Sequence, residues 1–531
     1  TQQTPVNPTL LPRRDWLKAS VLAGAATALS PRSPFAASAA APPVAPVPTP
    51  ASTPAPGIDL GSRRELFVDR FLIDRLENAA LKLHEPISGG VAIKLDQPWE
   101  GPANAGYSVL HHREKFFLYY RAMTLAKGDD SGALCVATSD DGATWTKPKL
   151  GLVERAGRRD TNLVADEQGQ PLMMVTPWLD TRPGVPDTER IKALASEPLS
   201  GEKHTAFKDP AGPKRLAFWS SADGFTFRKL ARQPVFVSQL RGSFDGGNTM
   251  FWSAAEQQYV LYYRWYDGTG RRTVARTTSR DFFTWTEPVP MTYGDTPREQ
   301  FYTNNTGPYF RAPHLYLALP ARFMEGRRAV TDDQIKAIGL KTSQGHFYGN
   351  DCADAVLLST RASSTHYDRT FMETFVRPGP GAANWVSRTN YPLTGIHPAN
   401  GAQLMFFVSR HFMQDTWHLE RLLLRTDGFA SVNAPWTGGE MVTKPFRFTG
   451  HELEINYRTS APGSVRVELQ DAAGKPLPGH ALADCVEIIG DEIARTVRWK
   501  NGPDVRQHAG QPVRLRFVLR DADLYALQFH P

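Results

Sequence analysis

Cysteine is nearly missing from this sequence. Its 531 residues carry three, Cys135, Cys352 and Cys485, at no spacing that a zinc ribbon or a disulfide framework uses, so neither staples the fold. The segment HFYGNDCAD gathers His346, Asp351, Cys352 and Asp354, but without a second ligand pair at fixed spacing it is polar loop chemistry, and no metal or cofactor is expected. Blocks of one charge sign are also missing: 61 basic residues face 54 acidic ones, a formal net charge of +7, and the basic residues are dispersed along the chain. A mixed-charge surface of that kind argues against nucleic acid as a partner. The apolar segment at 19–29 is too short for a spanning helix, and no stable membrane insertion is expected after its removal. Long helices are discouraged by 42 Gly and 42 Pro, which punctuate the chain into turns.

What is present favours an all-β protein of several domains. Hydrophobic residues at 41% and aromatics at 11% suffice for sizeable cores, and the length exceeds one ordinary domain. Residues 1–40 have the layout of a twin-arginine-type signal peptide: Pro12-Arg13-Arg14-Asp15-Trp16-Leu17-Lys18, an apolar stretch, then Ala37-Ser38-Ala39. An exported protein, periplasmic or extracellular, is the expectation. Residues 41–57 are an Ala/Pro-rich linker with no means of building a core.

From residue 58 to 437 three elements recur. The turns SDDGATW, SADGFTF, STRASSTHY and SRDFFTW, with TDGFASV last, begin at 139, 221, 359, 279 and 426, a period of roughly 70 residues. Upstream of each stands an apolar strand: KFFLYYRA, PLMMVTPW, YVLYYRWY, LYLALPARF and LMFFVSRHF. Four of these end on Arg121, Arg264, Arg322 and Arg410, with Pro177 the exception. Upstream again is a polar entry to another strand: PANAGYSVL, RDTNLVAD, FDGGNTMFW, YTNNTGPYF and RTNYPLTGI. Strand-like elements in a fixed order, five times over, describe a five-bladed β-propeller, in which the first strand of every blade lines a central funnel. Residues 438–531 instead alternate apolar and polar positions between Gly, Pro and Asp turns, the pattern of a C-terminal β-sandwich.

The entries supply Glu100 with Asn104, Asp160 with Asn162, Asp245 with Asn248, Glu299 with Asn304 and Asn305, and Arg388 with Asn390. Asn and Asp are ordinary at turns, but an acid in four successive blades is more than turn chemistry explains. The richest stretch, 298–322, adds Tyr302, Tyr309, Phe310, Arg311, His314 and Arg322. Amides, carboxylates and guanidiniums to bind hydroxyls, with aromatic faces beside them, are what a sugar site requires. Trp99 and Trp385 are further candidate stacking platforms. The four repeated arginines are read chiefly as bridges between blades.

With the repeats laid out, the chain resembles the five-bladed propeller glycosidases of the invertase, levanase and arabinanase type. Specifically it resembles exported glycosidase-like proteins common in planctomycetes and related bacteria. The stretches that carry this are LFVDRFLID, WTKPKLGLVE, the segment around FDGGN, EQFYTNNTGPYFRAPHLYLALPAR, Arg-Thr-Asn-Tyr-Pro at 388–392, and SVRVELQDAAGKPLPG with GDEIARTVRWKNG. The Asn-Asp-Pro, Arg-Asp-Pro and Glu-Cys signatures of the invertase branch are absent. The resemblance implies a glycan substrate and two-carboxylate hydrolysis: one carboxylic acid to protonate the leaving oxygen, one carboxylate to attack or activate water. Glu299 is then expected as the acid, Asp245 as nucleophile or base, Asp160 as orienting carboxylate, and Glu100 in reserve. Asn248, Asn304, Asn305, Tyr302, Arg311, His314, Arg322, Arg388, Trp99 and Trp385 are the expected substrate contacts. The alternatives are a non-catalytic sugar-binding propeller, whose acids would be paired with arginines or too far apart, and a sialidase-like hydrolase of acidic sugars.

Overall fold

Each middle strand of the repeat is apolar at almost every position, which suits a strand covered on both faces. Lys115–Ala122 is buried throughout except at Lys115. Because side chains alternate across a strand, Phe116, Leu118 and Tyr120 pack against Met405 and Phe407 on one side, while Phe117 and Tyr119 pack against Leu172, Val175 and Ala193 on the other. Gln258–Tyr266 does the same, with Leu261 and Tyr263 against Trp178 and Phe218 and Val260 and Tyr262 against Tyr316 and Leu358. Sheets stacked face to face through both surfaces of every middle strand form a ring.

The computed structural model describes residues 57–531 except 126–131, 174, 199–213, 235, 239–243, 246 and 343–346. The expected signal peptide and linker therefore lie outside the described residues but for Gly57, as does His346. The ring has five blades. Blade I is Gly106–His112, Lys115–Ala122 and Ala133–Ser139. Blade II is Val175–Leu179, Ile191–Pro198, Lys214–Ser221 and Thr226–Lys229. Blade III is Thr249–Ser253, Gln258–Tyr266, Arg272–Ser279 and Val289–Pro290. Blade IV has Gly307–Tyr309, then a strand interrupted between Ala312–Ala318 and Ala321–Met324, opposite Cys352–Ala355 and Leu358–Arg361. Blade V is Tyr391–Pro392, Gln403–Arg410 and His418–Arg425, and its outer strand is Ile87–Lys94 from the start of the chain. That strand closes the ring.

Every junction between neighbouring blades carries a hydrogen bond. Ser108 donates to the Pro177 carbonyl (2.7 Å), Tyr259 to Asp180 (2.9 Å), Thr249 to Asn304 (2.7 Å) and Asn305 to the Pro392 carbonyl (2.8 Å). Blades V and I meet through the Val109 amide on the Thr394 carbonyl at 2.8 Å. The repeated turn is built by its aspartate: Asp141 accepts from the Ala143 and Thr144 amides (2.7 and 2.8 Å), and Asp223 and Asp281 repeat the arrangement.

Blade II departs from the sequence reading. The run 171–178 was expected as a middle strand, but Val175–Leu179 is innermost, and Ile191–Pro198, with its small alanines, is the middle strand. Residues 161–164 belong beside blade I, where the Val136 amide meets the Asn162 carbonyl (3.1 Å) and the Val164 amide the Leu134 carbonyl (2.9 Å). Pro177 lacks the recurring arginine because it occupies a different position of the blade.

A ten-stranded sheet forms the sandwich. Glu452–Asp471 and Val513–His530 pair almost end to end, and register shifts at Asn456/Tyr457 and Thr459/Ser464 bend them over a core containing Tyr457, Val467, Trp499 and Phe517. The N-terminal strands join this sheet rather than the propeller: Ile58–Gly61 beside Phe446–Phe448, Glu65–Leu66 beside Val513–His530, Ile73–Glu77 beside Gly439–Thr443 and Ala80–Leu83 beside Ala430–Ala434. The α-helix of the described residues, Asp332–Ala337, lies in the long excursion of blade IV and starts with a capping box of Thr331 and Gln334.

Candidate functional site

Antiparallel pairing brings the end of each second strand beside the entry of the first. Thr249 faces Tyr262, Tyr391 faces Ser409, and Phe301 bridges to Arg322. The recurring arginine is thereby delivered to the funnel end of its blade, as a matter of register.

The four candidate carboxylates meet different fates there. Asp245 is about half exposed (48%) and pairs with Arg264 at 2.9 Å. Glu299 is held by two guanidiniums, Arg322 at 2.8 Å and Arg369 at 2.9 Å. Burial acts to raise its carboxyl, but the hydrogen bonds and charges of Arg369 and Arg322 outweigh it and hold the group below the ordinary glutamate range. An ionised, doubly paired carboxylate is set against the proton-donor role expected for it. Asp160 is partly exposed beside Arg158 (2.8 Å) and Lys149 (3.5 Å), in a turn at the outer edge of blade I, and those hydrogen bonds, Arg158 first, bring its carboxyl down to about 2. Glu100 has no exposure and accepts from Tyr120, Lys147 and the Asp96 and Gln97 amides. Each of the four carboxylates is thus held by basic partners of its own, and Asp245 keeps about half of its surface open.

The expected substrate contacts also divide. Asn304 and Asn305 are buried at the blade III/IV and IV/V junctions described above. Arg311 pairs with Asp427 at 3.0 Å and His314 with Glu65 at 2.9 Å, both where the propeller meets the sandwich, away from the funnel. Arg322 is committed to Glu299 and Asp354. Trp99 is buried and donates to Asn162 at 3.0 Å; Trp385 is partly exposed and donates to the Gly379 carbonyl at 2.9 Å. Asn248 donates to the Phe244 carbonyl at 2.8 Å, and its own oxygen is buried without a partner among the described residues. The bridging role read for the repeated arginines fits Arg264, which also donates to the Tyr302 carbonyl of blade IV; Arg410 bonds chiefly within blade V, to Glu420 and Asn390, and reaches the Arg377 carbonyl at 3.4 Å.

Tyr302 and Arg388 do converge, in company that the sequence reading did not single out. The Tyr302 ring lies 5.2 Å from Tyr391 and 5.5 Å from Phe323. Three guanidiniums surround it: Arg264 at 4.3 Å, Arg272 at 5.2 Å and Arg388 at 5.6 Å from the ring centre. Arg388 also lies over Tyr348 (5.4 Å) and Phe412 (5.5 Å). Tyr107 of blade I stands near Arg121 and Asp245, and burial raises its phenol. Blades I, III, IV and V thus contribute to one aromatic and cationic lining beside Asp245.

The backbone around this lining is strained. Phe244, Arg388 and Met413 adopt left-handed φ of +61°, +58° and +60°, a region costing on the order of 1–2 kcal/mol for such residues. The 387–390 turn is pinned by the Ser387 amide on the Tyr348 carbonyl (2.9 Å), the Phe412 amide on Thr389 (3.0 Å) and Asn390 on the Ala353 carbonyl (2.9 Å). Such pinning is what lets an unfavourable conformation persist at a site.

No protein-family model matches this sequence, and no curated protein matches it. Solved structures do. One described as a glycoside hydrolase is 13% identical over 64% of this chain and 92% of its own, with a TM-score of 0.42. A thermostable family-43 glycoside hydrolase is 10% identical over 63% and 91%, TM-score 0.37. A fructofuranosidase from Schwanniomyces occidentalis complexed with fructose is 10% identical over 82% and 96%, TM-score 0.36. The fold stands on the strand ladders above and not on these likenesses.

Proposed function

We propose that this protein acts on a glycan held in the propeller funnel and that it is a glycoside hydrolase using Asp245 as its ionised carboxylate. One observation carries the reading: of the four candidate acids, Asp245 alone stands solvent-accessible beside the shared aromatic lining, ion-paired to Arg264 at 2.9 Å. A carboxylate held by a guanidinium is suited to attack the anomeric carbon or to activate water rather than to give up a proton. Aromatic rings beside it supply faces for sugar C–H groups. Glu299, Asp160 and Glu100 are each held by a basic partner, which suits them less to donating a proton. Export of the protein is part of the proposal and rests on the N-terminal sequence pattern.

The test is product release from a panel of glycans and aryl-glycosides by the protein and by Asp245→Asn. Loss of about 10²-fold or more in turnover with the fold intact is expected. A second reading, a carbohydrate-binding propeller without hydrolysis, is favoured by the engagement of the other three carboxylates. Retained binding of one glycan with no release from any substrate would establish it and overturn the first.

A further inference from the structure

Two guanidiniums of the funnel, Arg272 and Arg388, form no ion pair among the described residues. Arg264 is neutralised by Asp245. Arg272 donates to the neutral amide oxygen of Gln300 at 2.9 Å and pairs with no carboxylate among the described residues. Arg388 has neither a hydrogen bond nor a carboxylate partner among the described residues; it is held by the rings of Tyr302, Tyr348 and Phe412 at 5.4–5.6 Å. Beside it the Tyr391 hydroxyl is buried with no hydrogen-bond partner among the described residues.

Both guanidiniums are half-buried; an unpaired guanidinium partly shielded from water is costly, and two like charges around one ring add to that cost. Aromatic faces offset part of it by cation–π attraction but leave the five N–H donors unused. The turn carrying Arg388 is strained and pinned, so the fold maintains this exposure of donors at a further cost. Such an arrangement is relieved by an anion with oxygens in a plane, which a guanidinium fork grips through two parallel hydrogen bonds.

Building on the glycan reading above, we propose that Arg388 is the recognition residue for an anionic substituent on that glycan, a uronate carboxylate or a sulfate ester, with the Tyr391 hydroxyl as a second donor. The substrate class is therefore acidic polysaccharide. Arg388 orients the ligand, and Asp245 lies near enough to feel its charge.

Two matched pairs test this by calorimetric titration of the intact protein: homogalacturonan oligomers, de-esterified and methyl-esterified, and carrageenan oligomers, sulfated and desulfated. One anionic member should bind about tenfold or more tighter than its neutral counterpart, with an affinity that falls as salt rises; the pair that shows the difference identifies carboxylate or sulfate. Arg388→Gln should bring the anionic form down to the neutral one, and Arg388→Lys, which keeps the charge and loses the fork, should fall between. Equal binding of charged and uncharged members would overturn the anionic inference and leave the glycan reading standing. Absence of binding by any of the four would count against both. Should Arg388→Gln fail to fold, the comparison within each pair on the unaltered protein decides alone.

Discussion

Replacing Glu299 by Gln should weaken the fold far more than it weakens any chemistry. The carboxylate neutralises Arg369, whose side chain is wholly buried and whose Nη1 already lacks a partner, and it also binds Arg322, which keeps Asp354. With an amide in its place, Arg369 retains the Met372 carbonyl at 3.1 Å and one amide oxygen, and its charge is left without a counter-ion. Breaking a buried pair from one side costs about 3–5 kcal/mol. Glu299 keeps 12% exposure, so the lower end, about 3 kcal/mol, is expected. At a urea dependence of about 3 kcal/mol/M the unfolding midpoint should drop by about 1 M. In an Arg369→Gln background the same change should cost much less, because the charge to be compensated is gone. The acid limb adds a check: the depressed Glu299 carboxyl contributes stability that is present above the ordinary glutamate range and lost as pH falls through its folded value. Glu299→Gln should flatten that part of the stability profile. An unmoved midpoint combined with abolished glycan cleavage would refute the argument and restore Glu299 to the chemistry.

Two further perturbations bear on the closure of the ring. Burial brings the His397 imidazole down to about 4, against its hydrogen bond to the Val109 carbonyl. The folded state then resists protonation that the unfolded chain accepts, so stability should fall as pH drops from about 6.5 to about 4, by up to about 3 kcal/mol; denaturation midpoints across that window check it. Gly395 has φ +120°, and a β-carbon there would stand 2.5 Å from the Val109 carbonyl oxygen. Gly395→Ala should therefore lower the melting temperature sharply, whereas Gly401→Ala, at φ +69° with open space around it, should cost about 1 kcal/mol.

The fold was legible where the chain records it locally. Middle strands apolar on both faces and an aspartate that bonds the amides two and three residues on leave repeating marks, and five blades follow from them. Blade II was misread because its inner strand, Val175–Leu179, is as apolar as a middle strand, and its middle strand carries three residues of modest bulk in Ala193, Ala195 and Ser196. The destination of residues 58–83 was hidden for another reason: their partners lie hundreds of positions away, and no local pattern names them. The site shows the same divide. Glu299 read as the catalytic acid and Arg311 as a substrate contact because the residues that neutralise them, Arg369 and Asp427, stand 70 and 116 positions further on. Tyr302 and Arg388 were legible from composition alone. Tyr391 was inside a quoted segment, but a buried hydroxyl without a partner is a property of packing that spacing does not reveal.

The strand Ile87–Lys94 completes the last blade, and the strands between Ile58 and Leu83 complete the sandwich. During synthesis Ile87–Lys94 must wait for His418–Arg425, and the strands between Ile58 and Leu83 must wait for partners between Ala430 and His530. The ring, whose strands all lie between Ile87 and Arg425, can close as soon as His418–Arg425 is made, whereas the sandwich draws strands from both sides of the ring in sequence and is completed later. A cut near residue 437 would therefore deprive the sandwich of its strands between Ile58 and Leu83 while leaving the ring's own ladders whole.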